Sequence, residues 1–265
     1  MLSALEKGFQ KFGIDFYLAG AVARDVWMTG IHKIAPRRVT GDIDFAVLIN
    51  DHGTYDALKE YLIASEGFHP YKGNSFVLIW KDKSQVDLLP FGEIEDEDGK
   101  VTTGGLGLTS ISLQGFAEIY EDGLPEIELE GKHRFKVCTL PGIVLLKMIA
   151  WDDRPEARKD DIGDISDILY HFFDMCDNEI YENHSDLFGD EYKDRLHTAA
   201  RVVGRQMNQI AKRNEKLFTR IDKILADNMA GGEKCKMAVL MSGYFGNTVE
   251  ENIGLLQQLK QGFIE

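Results

Sequence analysis

Apolar residues in the first half of the chain follow two periods, one typical of helices and one typical of strands. Spacings of three and four residues predict helices over residues 2–12 and 54–65. A further helix is expected from Ala21 to Met28, with Gly30 ending it. Short apolar runs bounded by turn residues predict strands, at residues 15–19, 42–49, 76–80, 85–89, 126–129 and 133–138. The first half is therefore expected to form an α/β unit.

The pattern changes after Pro141, where helical spacing dominates. Helices are predicted at residues 141–151, 161–174, 190–226 and 249–262. Breaks between helices are predicted at residues 152–160, 177–189 and 229–247. We therefore expect two domains, an α/β (α+β) core over residues 1–140 and a mostly helical domain over residues 141–265.

Composition and charge narrow the class of protein. The 265 residues are 44% hydrophobic and 28% charged, which is ordinary for a globular protein. The formal net charge of -14 opposes non-specific binding to nucleic acid, because that binding needs a basic surface. The three cysteines are scattered and the N-terminus has no signal-peptide layout, which predicts a cytoplasmic protein. The apolar run at residues 143–151 is too short to span a membrane.

Three carboxylates stand out because they lie on short apolar strands. Asp42 and Asp44 begin the predicted strand at 42–49, and Asp87 lies in the strand at 85–89. Side chains alternate along a strand, so Asp42 and Asp44 share one face, with Cα atoms roughly 6–7 Å apart. Their carboxylates can converge on one cation or on two ions about 3.5–4 Å apart. Oxygen ligands of this kind suit Mg²⁺, so the pattern predicts a magnesium site with Asp87 as a third ligand.

A glycine between a strand and a helix precedes these acids. Gly20 follows the predicted strand at 15–19, and Ala21 opens the next helix. Free backbone N–H groups at such a helix start can bind phosphate, and a glycine lets a phosphate approach the backbone closely. Arg24, one turn later, can add charge-assisted hydrogen bonds. The turn therefore predicts a triphosphate site beside the three acids.

Together these motifs resemble the nucleotidyltransferase superfamily related to DNA polymerase beta. The resemblance covers roughly residues 15–90 and rests on the Gly20 turn, the Asp42-Ile43-Asp44 strand and Asp87. It implies a small mixed β-sheet flanked by helices, with a C-terminal helical region. It also implies a nucleoside triphosphate as substrate and two Mg²⁺ ions as cofactors. Nucleotidyl transfer to a hydroxyl would release pyrophosphate, and Asp87 would help deprotonate the acceptor.

A second stretch is similar to bacterial predicted nucleotidyltransferases of the AbiEii toxin type. It runs from Leu145 through Lys147 to a basic-acidic segment that contains Asp161 and Asp164. By this resemblance Lys147 contacts phosphate, and the two acids line the far wall of the cleft. A toxin–antitoxin role with a cognate antitoxin as partner would follow. Ala23-Arg24-Asp25 is also similar to a helix of tRNA CCA-adding enzymes.

The chain departs from the superfamily at two places. Ala21 stands where the family usually has Gly or Ser, so a hydroxyl contact to phosphate is lost. The interval between Gly20 and Asp42 is longer than usual, and the added length lies in a polar loop at residues 31–40. This loop contains Arg37 and Arg38, and we expect Arg38 to contact the acceptor or line the cleft.

Several alternatives remain open from the sequence. The acceptor can be an RNA 3′ end, a protein hydroxyl or a small molecule such as an aminoglycoside, and the alternative function is a catalytically silent module that binds nucleotide or a partner. Arg24 can instead pair with Asp25 or Asp42. Lys147 can extend from an apolar helix to water, and Asp161 and Asp164 can simply face solvent on an acidic helix.

Overall fold

The computed structural model describes residues 1–38, 40–81, 83–189 and 194–265, with the backbone alone for residue 233. The chain divides into two compact units, Met1–Thr139 and Leu140–Glu265. Each unit is built around its own set of elements. The first contains the strands and the second is helical.

The described residues of the first unit form nine strands. They are β1 (Phe16–Ala19), β2 (Asp42–Leu48), β3 (His69–Pro70), β4 (Val77–Ile79), β5 (Gln85–Phe91), β6 (Lys100–Thr102), β7 (Ser110–Ser112), β8 (Glu126–Leu129) and β9 (His133–Val137). Seven of them form one sheet in the order β3-β4-β5-β2-β1-β9-β8, and β6 pairs with β7 separately. The sheet is mixed, because β2 runs parallel to β5 and antiparallel to β1.

Helices flank the large sheet on both faces. They are α1 (Leu2–Phe12), α2 (Gly20–Asp25), α3 (His52–Glu66) and α4 (Phe116–Asp122). On one face Phe9 of α1 contacts an aromatic cluster of the sheet, formed by Phe16, Phe45 and Phe135. α3 lies beside α1, with the side chains of Leu58 and Leu62 against Gly8.

The opposite face carries a second aromatic cluster under α4. Tyr17 and Phe91 of the sheet contact each other, Tyr17 contacts Phe116, and Phe91 contacts Tyr120. The hydroxyl of Tyr17 donates to the carbonyl of Phe116 at 3.0 Å, so this buried phenol is satisfied. Both faces of the middle of β2 are therefore covered. That leaves the start of the strand, where Asp42 and Asp44 lie, as its more accessible part.

The second unit is helical. Its helices are α5 (Leu140–Asp153), α6 (Lys159–Met175), α7 (Asp177–Asn183), α8 (Arg195–Ala211), α9 (Glu215–Ala230), α10 (Lys236–Phe245) and α11 (Val249–Phe263). α8 and α11 pack closely, because Gly204 and Gly262 let the two backbones approach. Among the described residues, no helix is long and apolar enough to cross a membrane.

The fold class agrees with the sequence analysis, while several boundaries differ. The helix expected at 21–28 begins at Gly20 and continues as a π-helix over Val26–Ile31, so Gly30 does not end it. The helix expected at 190–226 is wrong as one element, because a turn at 212–214 separates α8 from α9; residues 190–193 lie outside the described residues. Helices α7 and α10 lie in segments predicted as breaks between helices, while α4 and the hairpin β6–β7 lie where the sequence analysis predicts no element.

Candidate functional site

The acids of β2 and β5 lie on one face of the sheet. β2 and β5 are parallel, and Asp44 is the register partner of Asp87. Register partners in neighbouring strands point their side chains the same way, with the strands about 4.8 Å apart. Asp42, two residues before Asp44, shares this face. The backbone therefore brings all three predicted acids to adjacent positions at the start of β2.

Gly20 lies directly against Asp44. The last residue of β1, Ala19, pairs with Asp44, so the turn that follows β1 passes over this side chain. Gly20 has φ +62, in the left-handed region, and a Cβ placed on it would overlap the carboxylate of Asp44, with Cγ only 2.7 Å away. No other residue type fits there without moving the acid. Gly20 thus fixes both the sharp entry into α2 and the space for Asp44.

Asp87 is held by a neighbour on its own strand. The Nε2 amide of Gln85 donates to Oδ1 of Asp87 at 3.0 Å. Gln85 is also the register partner of Asp42, so an amide lies opposite the first acid. Sequence alternation by itself could have identified Gln85 as part of this face, because it stands two residues before Asp87.

A buried tyrosine lies close to Asp87. The hydroxyl of Tyr55, on α3, donates to the carbonyl of Leu88 at 2.8 Å. Burial raises the pKa of the Tyr55 phenol well above its usual range, and the negative charges of Asp56 and Asp87 raise it further. Tyr55 therefore remains protonated and supports β5 just after the acid.

Arg24 forms a buried ion pair. Its side chain is 1% exposed and donates to Oδ1 of Asp25 from Nε at 2.9 Å and from Nη2 at 2.5 Å. The other oxygen of Asp25 accepts a hydrogen bond from the hydroxyl of Thr40 at 3.3 Å. Arg24 thus pairs with Asp25, one of the two partners considered from the sequence, with its own side chain buried and the carboxylate of Asp25 partly exposed.

The basic loop between the π-helix and β2 is partly anchored. The amide of Ile34 donates to the carbonyl of Met28 at 2.8 Å, and the hydroxyl of Thr29 donates to the carbonyl of Ile34 at 2.9 Å. Arg37 is exposed and Arg38 is half-buried. Arg38 therefore lies in the segment that leads to Asp42, four residues before it.

The donor set suits a hard cation, although the side chains do not form a closed metal site. Asp42, Asp44 and Asp87 offer carboxylate oxygens, which are the ligands that Mg²⁺ prefers. Among the described residues no group of three His, Cys, Asp or Glu side chains has an arrangement that could hold a metal ion. The three acids would have to turn toward a common point. Asp44 and Asp87 can do so from adjacent backbone positions.

The remaining predicted residues belong to the second unit and form one buried cluster. Nζ of Lys147, on α5, lies 2.8 Å from Oδ1 of Asp161 and 2.8 Å from Oδ2 of Asp164, both on α6. Lys147 is 7% exposed and Asp164 is fully buried. The interpretations in which Lys147 extends to water or the acids face solvent are therefore wrong for this structure.

One oxygen of this cluster has no hydrogen bond. Oδ2 of Asp161 is buried and lacks a hydrogen-bond partner among the described residues, and Nη1 of Arg158 lies 4.0 Å from it. Lys147 neutralises one of two buried carboxylates. In this conformation its ammonium group is therefore already engaged by acids of its own unit.

Comparisons with known proteins give few matches. No family model matches the chain, and no curated protein matches it. One solved structure that is similar is the antibiotic-resistance factor ANT(2'')-Ia, at 13% identity and a TM-score of 0.39, covering 85% of this chain and 91% of that chain. At this level of similarity, the function has to be argued from the site itself.

Proposed function

We propose that this protein is a magnesium-dependent nucleotidyltransferase, which moves a nucleoside monophosphate from a nucleoside triphosphate to a hydroxyl acceptor and releases pyrophosphate. The observation that carries the proposal is the contact of Gly20 with Asp44, together with the register of Asp44 and Asp87. A residue without a Cβ, two aligned acids and a third acid two residues away form a compact set at the start of β2. This combination has no evident use in a purely structural strand, because like charges on neighbouring strands repel.

The three acids would hold the metal. Mg²⁺, when bound, would neutralise charge that develops on the phosphates during transfer. Asp42 and Asp44 would provide its main ligands, with Asp87 as the third. Asp87 would also accept the proton of the attacking hydroxyl, since the hydrogen bond from Gln85 orients its carboxylate.

The Gly20 turn would seat the triphosphate. Gly20 and Ala21 open a helical segment that continues without a break to Ile31. The first N–H groups of a helix have no intrahelical acceptor, so those of this segment could bind phosphate. The guanidinium of Arg24 is buried and paired with Asp25. Arg24 would therefore support phosphate binding indirectly, by stabilising the helix that follows Gly20. Lys147 would contact phosphate only after exchanging at least one of its carboxylate partners.

The acceptor is proposed from charge. A net charge of -14 favours a small or cationic acceptor over a long nucleic acid. Arg38 would contact the acceptor from the basic loop. The AbiEii resemblance adds the toxin-like role to this proposal, with tRNA or protein as the acceptor and an antitoxin protein as partner.

The test is pyrophosphate release by the purified protein. Each labelled nucleoside triphosphate is incubated with Mg²⁺ and with three separate acceptor pools, namely tRNA, protein and aminoglycosides. We expect pyrophosphate release with at least one acceptor pool, and a fall in its rate of at least a hundredfold in Asp44→Ala. The control Asp98→Asn, a change at an exposed residue, should keep wild-type activity. Nucleotide binding without release under any condition would support the silent module instead. A protein that binds no nucleotide would contradict both functions.

A further inference from the structure

The first residues of β2 are held less firmly than the rest of the strand. Phe45, Ala46 and Val47 are fully buried, whereas Asp42, Ile43 and Asp44 are only half-buried. The pairing of β2 with β1 ends at Ala19 and Asp44, so among the described residues Asp42 has a neighbouring strand only on the β5 side. Packing and strand pairing therefore weaken at the position where the first acid lies.

The residue before Asp42 adds no support. Gly41 is exposed, and a Cβ placed on it would meet no atom of the described residues within 4 Å. Thr40, the next residue toward the N-terminus, is half-buried and donates its hydroxyl to Asp25. This hydrogen bond ties the approach to β2 to the end of α2, on the side where β1 no longer pairs.

Asp25 is well suited to act as a fixed point. One of its oxygens accepts two hydrogen bonds from the buried guanidinium of Arg24, and its other oxygen accepts the hydrogen bond from Thr40. Arg24 is among the largest fully buried side chains, so it anchors the carboxylate firmly. α2 also begins with Gly20, which lies against Asp44. The short helix α2 thus contacts β2 through Gly20 at its start and contacts Thr40, two residues before β2, through Asp25 at its end.

We propose that Asp25 is a positioning residue, which acts through Thr40 to fix the start of β2 and hence the carboxylate of Asp42 relative to Asp44. The proposal rests on the function proposed above for its catalytic consequence, while the ordering of β2 stands on the hydrogen bonds alone. Asp25 itself takes no part in phosphate or metal binding in this account. If β1 continued past Ala19, its pairing would hold the start of β2 in place. The hydrogen bond between Thr40 and Asp25 supplies that restraint instead.

The primary test replaces Thr40 rather than Asp25, because Asp25→Asn or Asp25→Ala removes the charge partner of the buried Arg24 and can prevent folding. Thr40→Val keeps the shape and removes the hydroxyl, and Thr40→Ser keeps the hydroxyl. Thr102→Val is the matched control, since Thr102 donates a similar hydrogen bond to Ser110 in the hairpin β6–β7. Amide hydrogen exchange is measured on the full chain without substrate.

We expect exchange at residues 41–43 to accelerate about fivefold in Thr40→Val and to stay at the wild-type rate in Thr40→Ser and Thr102→Val. In the nucleotidyl transfer assay, kcat of Thr40→Val should fall about tenfold with the KM for nucleotide within about twofold, and Thr40→Ser should restore it. Unchanged exchange in Thr40→Val overturns the proposal. Faster exchange with unchanged kcat overturns the positioning role.

Failure of the proposed function has a different signature. In that case the wild-type protein itself releases no pyrophosphate, and the exchange comparison still decides whether Asp25 and Thr40 fix the start of β2. A drop in kcat in Thr40→Ser as large as in Thr40→Val would also count against the hydrogen bond. It would show that the hydroxyl of residue 40 is not sufficient to maintain kcat.

Discussion

Gly20 and Asp44 touch so closely that a single added methyl group at Gly20 would occupy the position of the Asp44 carboxylate. The sequence had suggested a glycine at this turn for the approach of phosphate. The structure gives it a further role. Gly20 adopts a left-handed backbone conformation, and its lack of a Cβ also leaves room for the Asp44 carboxylate. Any change at Gly20 therefore acts on the acid as well as on the turn.

Gly20→Ala should lose more activity than its effect on the backbone explains. A left-handed alanine costs roughly 1–2 kcal/mol, and the added Cβ would also displace the Asp44 carboxylate. We expect a lower midpoint of thermal unfolding and a fall in pyrophosphate release of at least a hundredfold.

Gly13→Ala is the matched control for that substitution. Gly13 has φ +63, nearly the same as Gly20, and a Cβ on it would meet nothing within 4 Å. The free energy of unfolding of Gly13→Ala should fall by about the cost of a left-handed alanine, while its activity per folded molecule stays unchanged. Equal activity in the two variants would contradict the importance of the contact with Asp44.

Mg²⁺ and nucleoside triphosphate together should stabilise the folded protein. A ligand at a hundred times its dissociation constant adds about 2.7 kcal/mol, and in a protein of this size each kcal/mol raises the midpoint of unfolding by about 2–4 °C. The shift should disappear when EDTA removes the metal and in Asp44→Asn, and it should persist in Asp98→Asn. Thermal unfolding followed by circular dichroism measures it, and an equal shift in Asp44→Asn would exclude this acid as a ligand.

Lys147→Met should destabilise the second unit strongly. The substitution removes the ammonium group that both buried carboxylates contact, and removing one partner of a buried ion pair costs about 3–5 kcal/mol. The triple variant with Asp161→Asn and Asp164→Asn also removes the two carboxylate charges that Lys147 contacts, and it should recover most of that loss. Urea unfolding measures both.

The exposed Lys212 provides the control for that series. Lys212→Met should change the free energy of unfolding by less than about 0.5 kcal/mol. If Lys147→Met is as stable as this control, the buried cluster contributes little to stability. Its lysine would then be free to serve another purpose, such as phosphate binding.

A cluster of three side chains predicts how stability depends on pH. Burial alone would raise the pKa of Asp15, but hydrogen bonds from Lys136, Tyr120 and the amide of Phe16 outweigh it and lower the pKa. Nζ of Lys136 lies 2.5 Å from Oδ2 of Asp15 and 3.4 Å from the hydroxyl of Tyr120. Burial opposes the charge of Lys136 in the same way, and its hydrogen bond to Asp15 raises the pKa of the ammonium group.

The sign of the effect follows from these two directions. A lowered carboxyl pKa stabilises the fold above the unfolded value of about 3.9, and this stability is lost as the pH falls through the folded pKa. The raised lysine pKa stabilises the fold below about 10.4 and is lost as the pH rises through its folded pKa. Both contributions are therefore present between about pH 5 and pH 10.

Asp15→Asn should accordingly have a lower free energy of unfolding than the wild type at pH 7. The difference between the two proteins should shrink as the pH falls toward 2. The side chain of Asp15 is 42% exposed, so solvent screening limits the loss to about 1 kcal/mol. Glu121→Gln, an exposed change on α4, should show no such difference. Urea unfolding of the three proteins across pH measures this, and a difference that grows toward acid pH would contradict the assigned direction.

The sequence by itself determined the features that depend on local periodicity. Alternation placed Asp42 and Asp44 on one face, helical spacing located α1, α3, α5, α6 and α11, and the change of pattern after Pro141 separated strands from helices. The sequence also carries a helix-capping signal at Asn214, whose side chain accepts hydrogen bonds from the amides of Lys216 and Leu217 at the start of α9. That signal would have divided the helix predicted over 190–226.

Only the tertiary structure decided which residues meet. The register of Asp44 with Asp87, the contact of Gly20 with Asp44 and the bond from Thr40 to Asp25 join residues that are separated along the chain. In the same way, spacing put Asp161 and Asp164 on one side of α6, while the packing of α5 brought Lys147 between them. Periodicity states which way a side chain points, because backbone geometry is local, whereas strand pairing and helix packing select the partner that it finds there.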